Sequence, residues 1–542
     1  MTARTVRGMA TATLAAALIT GLAACSNPGG GAAAGPGGAD SVVVGIATEP
    51  ESLSPLLGYG KDGNSKIFDG LLTHDADMKL KPALAEALPE VSSDGLTYTY
   101  KLRQGVKFSD GAPFSAKDVV FTYRTILDAK TNNASKTELD AIAGVDARGE
   151  DTVVFTLKYP YAPFAERTVL PIAPEHIAGG QDVNSGEFTT HPVGTGPYVL
   201  TAWSKGEKLG FKANPGYWGG EPAVKKFTMA VIKDDDVRAT RLRSGELDGA
   251  ILPPNLAGAL GDQHGDQHGE ADEGRRTYAA KTFDYRNVTL PTHHKVTGDV
   301  AVRQALDIAV DRKAMVDKLL DGAGKPAYGP VPTESPWFTA GTERTHDLDT
   351  AKKILDDAGW KAGADGIRVK DGVRASFPLW YTSGDKIRQD HALAFASDAK
   401  KAGIEVRTEA GTWEVIEPRM KTEAVLAGGG SPADPDFDQY QLLTSSLGGD
   451  GFNNMARYDN PAVDAALVDG RRGGDQAARK AAYDSVQREL MKNPGYVFLT
   501  HIDHLYVVND KWEGLTTQVE PHDHGLGSGP WWNVESWKPK QK

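Results

Sequence analysis

The chain of 542 residues contains one cysteine, Cys25. A lone thiol can close no disulfide within the chain and can build no thiolate metal cluster. Long apolar runs are equally scarce: after Met9 to Leu22, nothing approaches the roughly 20 residues needed to cross a hydrocarbon core. Basic residues are outnumbered, 60 Lys plus Arg against 72 Asp plus Glu, which leaves a net charge of −12. That balance argues against nucleic acid or an anionic membrane face as the main partner, because both attract basic surfaces. Catalytic signatures are missing as well. There is no G-x-S-x-G turn to present a serine, no G-x-x-x-x-G-K-[ST] loop to cradle phosphates and no H-E-x-x-H helix to hold zinc. These absences point away from an enzyme and imply no cofactor.

The composition is 40% hydrophobic and 24% charged, enough for a large core and for a folded protein of two or three lobes. Arg4 and Arg7 precede the apolar stretch Met9 to Leu22, the pattern of a secretory signal. Its end, Leu22-Ala23-Ala24-Cys25, resembles the lipobox of bacterial lipoproteins. By that resemblance residues 1–24 are a signal peptide and Cys25 carries the lipid, so no cysteine is left as a nucleophile. Residues 25–40 are Gly- and Ala-rich and cannot pack, so they read as a flexible tether. The expected location is outside the cytoplasm, anchored to the cell membrane by lipid only.

From Ser41 onward, strand and helix patterns interleave. Ser41 to Ile46, Leu96 to Leu102 and Thr152 to Leu157 read as strands. Ser115 with Asp118 three residues on predicts a capped helix with Val119, Val120, Tyr123, Ile126 and Leu127 on one face. Further helices are predicted at Val302 to Val310, from Asp311 to a stop at Gly322, and at Thr350 to Ala358. The alternation implies an α/β protein with mixed sheets.

Gly58-Tyr-Gly60-Lys-Asp-Gly63 has dinucleotide-loop spacing. It sits about ten residues beyond the first strand, so it is read as a loop before a helix capped by Asn64. Gly261-Asp-Gln-His264 repeats as Gly265-Asp-Gln-His268 beside Glu270, Asp272 and Glu273. A metal could bind there, but the glycines favour a solvated insertion over an ordered site. Trp413 and the pair Trp531-Trp532 are candidates for aromatic walls around a ligand.

Leu102-Arg-Gln-Gly-Val-Lys-Phe-Ser-Asp-Gly-Ala-Pro-Phe-Ser-Ala-Lys-Asp-Val-Val-Phe-Thr122 resembles the signature of the family 5 extracellular solute-binding proteins, receptors of dipeptide, oligopeptide and nickel importers. Family-like pieces occur in order at Glu49 to Pro55, Ile67 to Leu72, Gly194 to Tyr198, Asn214 to Trp218, Ser244 to Asp248, Val302 to Leu306 and Ala358 to Trp360. The resemblance implies a periplasmic-binding-protein fold, two lobes closing around a hinge. Lobe one would be 41–77, 191–288 and 497–538, with an inserted domain at 78–190, and lobe two would be 289–496. It also implies partners: an ABC permease with its ATPase, and a solute, foremost a peptide, held by a monomer. In the loop that holds a peptide's amino end in relatives, aligning Asp434-Pro435 with the family's acidic-Pro step puts Ser431 at the clamp position. A serine cannot supply the charge that pairs with a buried ammonium. Trp413, Arg419, Tyr59, Tyr381, Asp434, Asn453 and Asn454 are the other ligand-facing positions the resemblance implies. A nickel chelate or an oligosaccharide remains open as the solute, and a surface hydrolase is the rival of another class.

Overall fold

The computed structural model describes residues 40–133, 136–260, 271–272, 274–522 and 527–540. Residues 1–39, where the signal peptide, the lipidated Cys25 and the tether are expected, lie outside the described residues, as does the His264/His268 loop.

The first predicted strand, Ser41–Ile46, forms as read and lies inside an eight-stranded sheet. Its neighbours Lys226–Val231 and Gly249–Leu252 both run parallel to it. Parallel strands are covered on both faces, which is why this run is apolar almost without alternation. Outward from these lie Lys208–Ala213 and Tyr198–Ser204 on one side, and His504–Asn509 and Arg275–Ala280 on the other.

A second, six-stranded sheet has the order Gly324–Pro326, Tyr496–Ile502, Tyr285–Thr289, Ala424–Gly429, Ser376–Thr382, Glu405–Gly411. The last three are mutually parallel. Helices Val300–Ala309, Leu348–Asp357 and Lys386–Lys401 bury their apolar faces on it, with Leu306, Leu355 and Phe395 in a common core.

Between Glu90 and Leu157 a separate four-stranded antiparallel sheet forms, including Thr97–Lys101 and Thr152–Leu157. The helix Ala116–Leu127 covers it, with Tyr123 packed edge-on against Phe155. Its capping box is as predicted: Asp118 accepts from the Ser115 amide at 2.9 Å while the Ser115 hydroxyl accepts from the first turn.

Two expectations change. No helix follows Asn64; the chain to Leu71 is irregular, and the Ser65 hydroxyl accepts from the amides of Ile67 and Phe68 at 3.1 Å each. This serine turn competes with helix formation, and Gly70 passes so close to Val169 that a Cβ there would lie 2.4 Å from its carbonyl oxygen. Sheet membership also switches at residues 281–284 and at 503, whereas the sequence placed the lobe changes at 288/289 and 496/497. The crossings are short irregular joints between strands, Ala280 to Tyr285 and Ile502 to His504, so no linker-like composition marks them.

Candidate functional site

Ligands of open α/β sheets collect beyond the carboxyl ends of parallel strands. Here those ends come from both large sheets. Ile46 to Thr48, Asp235 and Ile251 to Pro254 follow strands of the first sheet, while Ile387 starts the helix that follows Ser376–Thr382 of the second. They line one cavity of about 190 Å³, together with Trp531 and the crossing residues Asp284, Arg286, Asp503 and His504.

The two crossings are stitched to each other. Asp284 O accepts from Ile502 N at 2.8 Å, and Thr282 Oγ1 accepts from Asp284 N at 2.9 Å. A third strand passes alongside: Glu520 O accepts from Phe283 N, and Gly430 O from His522 N. Within this bundle of strands sits a chain of charged groups. Asp284 meets Arg286 Nη1, His522 Nδ1 at 2.6 Å and His504 Nε2 at 3.0 Å. The other nitrogen of His504 meets Glu520 at 2.6 Å, and the Tyr506 hydroxyl donates to the same carboxylate at 3.0 Å.

Burial alone would push the His504 pKa down. Its hydrogen bonds to Asp284 and Glu520 overturn this and raise it to about 9, so the ring is an imidazolium at neutral pH. Burial likewise opposes ionisation of Asp284, but Arg286, His522 and His504 hold its carboxyl well below the usual range. Sequence reading missed this network because its members lie at 284–286, 504–506 and 520–522 with no local motif.

A smaller cavity of about 30 Å³ shares Ser528 with the first and lies against Ser431, Phe437, Glu166, Arg167 and Lys61. Its wall is charged and internally paired. Glu138 takes Lys61 at 2.7 Å and Arg167 at 2.5 Å, and Glu166 meets His74 at 2.7 Å. Next to it the segment carrying the four-stranded sheet touches the second large sheet's body. The Tyr161 hydroxyl donates to Asp436 at 2.8 Å, and the Arg167 guanidinium lies 3.4 Å over the Phe437 ring. Arg471 is 3.2 Å from Asp436 and 3.5 Å from Asp140, with its plane 3.7 Å over Tyr440. These contacts hold the segment carrying the four-stranded sheet against the second sheet's body.

The residues selected from sequence separate into groups. Ser431 lines the smaller cavity, and Trp531 lines the larger one edge-on to Tyr506. Trp413 packs edge-on against Phe452, and Arg419 lies over Trp380 at 5.0 Å; this cluster belongs to the second sheet's body and borders neither cavity. Tyr381 is half-buried on the strand Ser376–Thr382, Tyr59 is half-buried against Phe68, and Asn453 is half-buried in a turn closed onto Asp450.

Two placements differ from expectation. Asn454 is fully buried at φ +34°, and its amide group bonds the main chain of Thr444 and Tyr458; it holds a loop rather than facing the cleft. Asp434 is buried in a two-point pair with Arg479, which occupies both carboxylate oxygens. Among the described residues no group of three or more His, Cys, Asp and Glu could hold a metal ion, and no helix is long and apolar enough to cross a membrane.

This fold and cleft are those of a solute-binding protein, and comparison with known proteins agrees. Residues 79–454 match the family described as bacterial extracellular solute-binding proteins, family 5. The chain belongs to that family. It is 66% identical over 510 residues to Protein XP55 of Streptomyces lividans, covering 94% of this chain and 92% of that one. It is 28% identical over 509 residues to the oligopeptide-binding protein AppA of Bacillus subtilis, covering 91% of each. Among solved structures it is similar to NikZ of Campylobacter jejuni in complex with Ni(L-His), with a TM-score of 0.82 and 29% identity, covering 92% of this chain and all of that one. The family's members are binding proteins that work outside the cytoplasm with ABC permeases, and the structural neighbours are two-lobed.

Proposed function

We propose that this chain is a receptor, not an enzyme, that captures a peptide or peptide-like solute between its lobes and delivers it unchanged to an ABC importer. The observation that carries the reading is the cleft itself. Strand ends from both large sheets converge on it, and among the described residues the chain crosses between the two sheets only twice, at 281–284 and at 503 behind it. Such a hinge lets a solute stabilise the closed form in proportion to its preference for that form. The jaws are 41–77 with 191–280 and 504–538, against 285–502, and 78–190 forms an insertion that closes with the first jaw. Cys25 anchors the monomer to the membrane through lipid, and residues 25–40 let the body reach the permease.

Ser431 at the clamp position, together with the likeness to NikZ, favours a second reading in which the solute is a nickel chelate. Calorimetry with a dipeptide, a nickel–histidine mixture and a cello-oligosaccharide, paired with X-ray scattering, separates these. A peptide receptor titrates and contracts with the dipeptide, a chelate receptor with nickel–histidine. Scattering profiles that never change, or a solute that emerges chemically altered, would overturn the proposal.

A further inference from the structure

The larger cavity has a charge left over. Of its ionic groups, Arg238 is consumed by Asp235 and by the carbonyls of Ile232 and Ile251. Asp284 and His504 saturate each other within the crossing network. Among the described residues Asp503 makes no ion pair or side-chain hydrogen bond. It lies on the crossing between the sheets, where only its amide is bonded, to Ala323 O at 3.3 Å. The nearby cations act from beyond contact distance, and Lys325 is already paired with Glu334. Burial keeps this carboxyl above its usual range despite Lys325, His504 and Lys281. A carboxylate in that position lowers its free energy when a cation arrives.

Arg286 supplies the second spare group. It is 7% exposed, its Nη1 is committed to Asp284, and its Nε, although buried, has no hydrogen-bond partner among the described residues. An orphaned donor at a cavity wall is a place for an acceptor oxygen. Between these groups the lining is apolar: Ile46, Ile251, Leu252, Ile387 and Trp531. The space of about 190 Å³ somewhat exceeds the ~150 Å³ cavity that admits benzene. A single carboxylate is too few ligands for a bare metal ion, and a primary ammonium needs just one charged acceptor plus neighbouring oxygens.

Resting on the receptor reading above, we infer that Asp503 takes the primary ammonium group of the solute, which Ser431 cannot do. An apolar side chain of the solute lies against Ile251, Ile387 and Trp531, and one of its carbonyl or carboxylate oxygens accepts from Arg286 Nε. The solute class is therefore an amino acid or short peptide with a free amino end and an apolar first side chain.

The test is calorimetry on the mature protein with leucine and the dipeptide Leu-Gly, each free and N-acetylated. The free forms bind, and acetylation weakens binding by on the order of 10- to 100-fold, the worth of a charge-assisted hydrogen bond. In Asp503→Asn the free forms lose a similar factor and acetylation then changes little. Melting curves confirm that the variant is folded, and the acetylation arm on the unaltered protein needs no variant. Equal binding of free and acetylated forms, unchanged affinity in Asp503→Asn, or no binding of either compound would overturn the inference. Native mass spectrometry of the purified protein separates the two levels. A co-purifying solute without a primary amine defeats the Asp503 assignment and leaves the receptor intact, whereas a protein that neither retains nor closes on any solute defeats both.

Discussion

Arg479 donates to both oxygens of Asp434, Nη1 to Oδ2 at 2.8 Å and Nη2 to Oδ1 at 2.6 Å, with both side chains at a tenth exposure or less. Asp434 Oδ1 also accepts from the amide of Asp436 at 2.9 Å, so this carboxylate fixes the start of the helix Asp436–Leu443. The same pair thereby positions Ser431 and Phe437 at the smaller cavity and Asp436 under Tyr161.

Removing one partner leaves the other charge buried and uncompensated. Asp434→Ala is expected to cost about 3–5 kcal/mol of stability, read as a shift in the midpoint of urea unfolding. A milder loss in the Asp434→Ala, Arg479→Met double variant is expected, because no lone charge remains buried. A single variant as stable as the unaltered protein would mean that the fork is incidental.

The Tyr161–Asp436 hydrogen bond joins the segment carrying the four-stranded sheet to the second sheet's body, so under the receptor reading it should favour the closed form. Burial raises the Asp436 pKa to about 6 against the pull of Arg471, and Tyr161 donates to that carboxylate. Tyr161→Phe deletes this donor and keeps the ring. Solute affinity is expected to fall on the order of 10-fold through a smaller closed population, and scattering should show a larger mean radius. Unchanged affinity and radius would show that the contact does not bias closure.

Histidines give the stability a two-sided pH dependence. The His504 pKa is raised to about 9, so its contribution is complete below the unfolded value near 6.5 and disappears as pH rises through about 9. Burial pushes His391 and His501 down to about 4. Those rings stay neutral in the fold but would charge when unfolded, so they subtract stability as pH falls from 6.5 toward 4. The melting temperature should therefore fall on both sides of neutrality. His504→Gln should remove the step on the alkaline side, and its persistence there would contradict the assigned imidazolium.

Local signals were the legible ones. Ser41 to Ile46 and Thr152 to Leu157 form with the residues read from the pattern, and the Ser115/Asp118 cap starts its helix as expected. The same reasoning placed a helix after Asn64, where Ser65 forms a tight turn under Val169, a neighbour a hundred residues away. Site residues fared unevenly for the same reason. A polar residue in a cleft-facing loop can point into solvent or fold back on its own main chain, and Asn454 and Asp434 both fold inward.

By itself the sequence determined the class: strand and helix periods, a capped signature segment and ordered family-like pieces specify a two-jawed α/β receptor, since each depends on neighbours within a few residues. What only the tertiary structure decided is the electrostatics of the cleft. Whether a carboxylate is spent, as in Asp434, or left over, as in Asp503, depends on which cation lies within a hydrogen bond of it. That is set by elements that meet from far along the chain, 45 residues apart for Asp434 and Arg479 and 220 for Asp284 and His504.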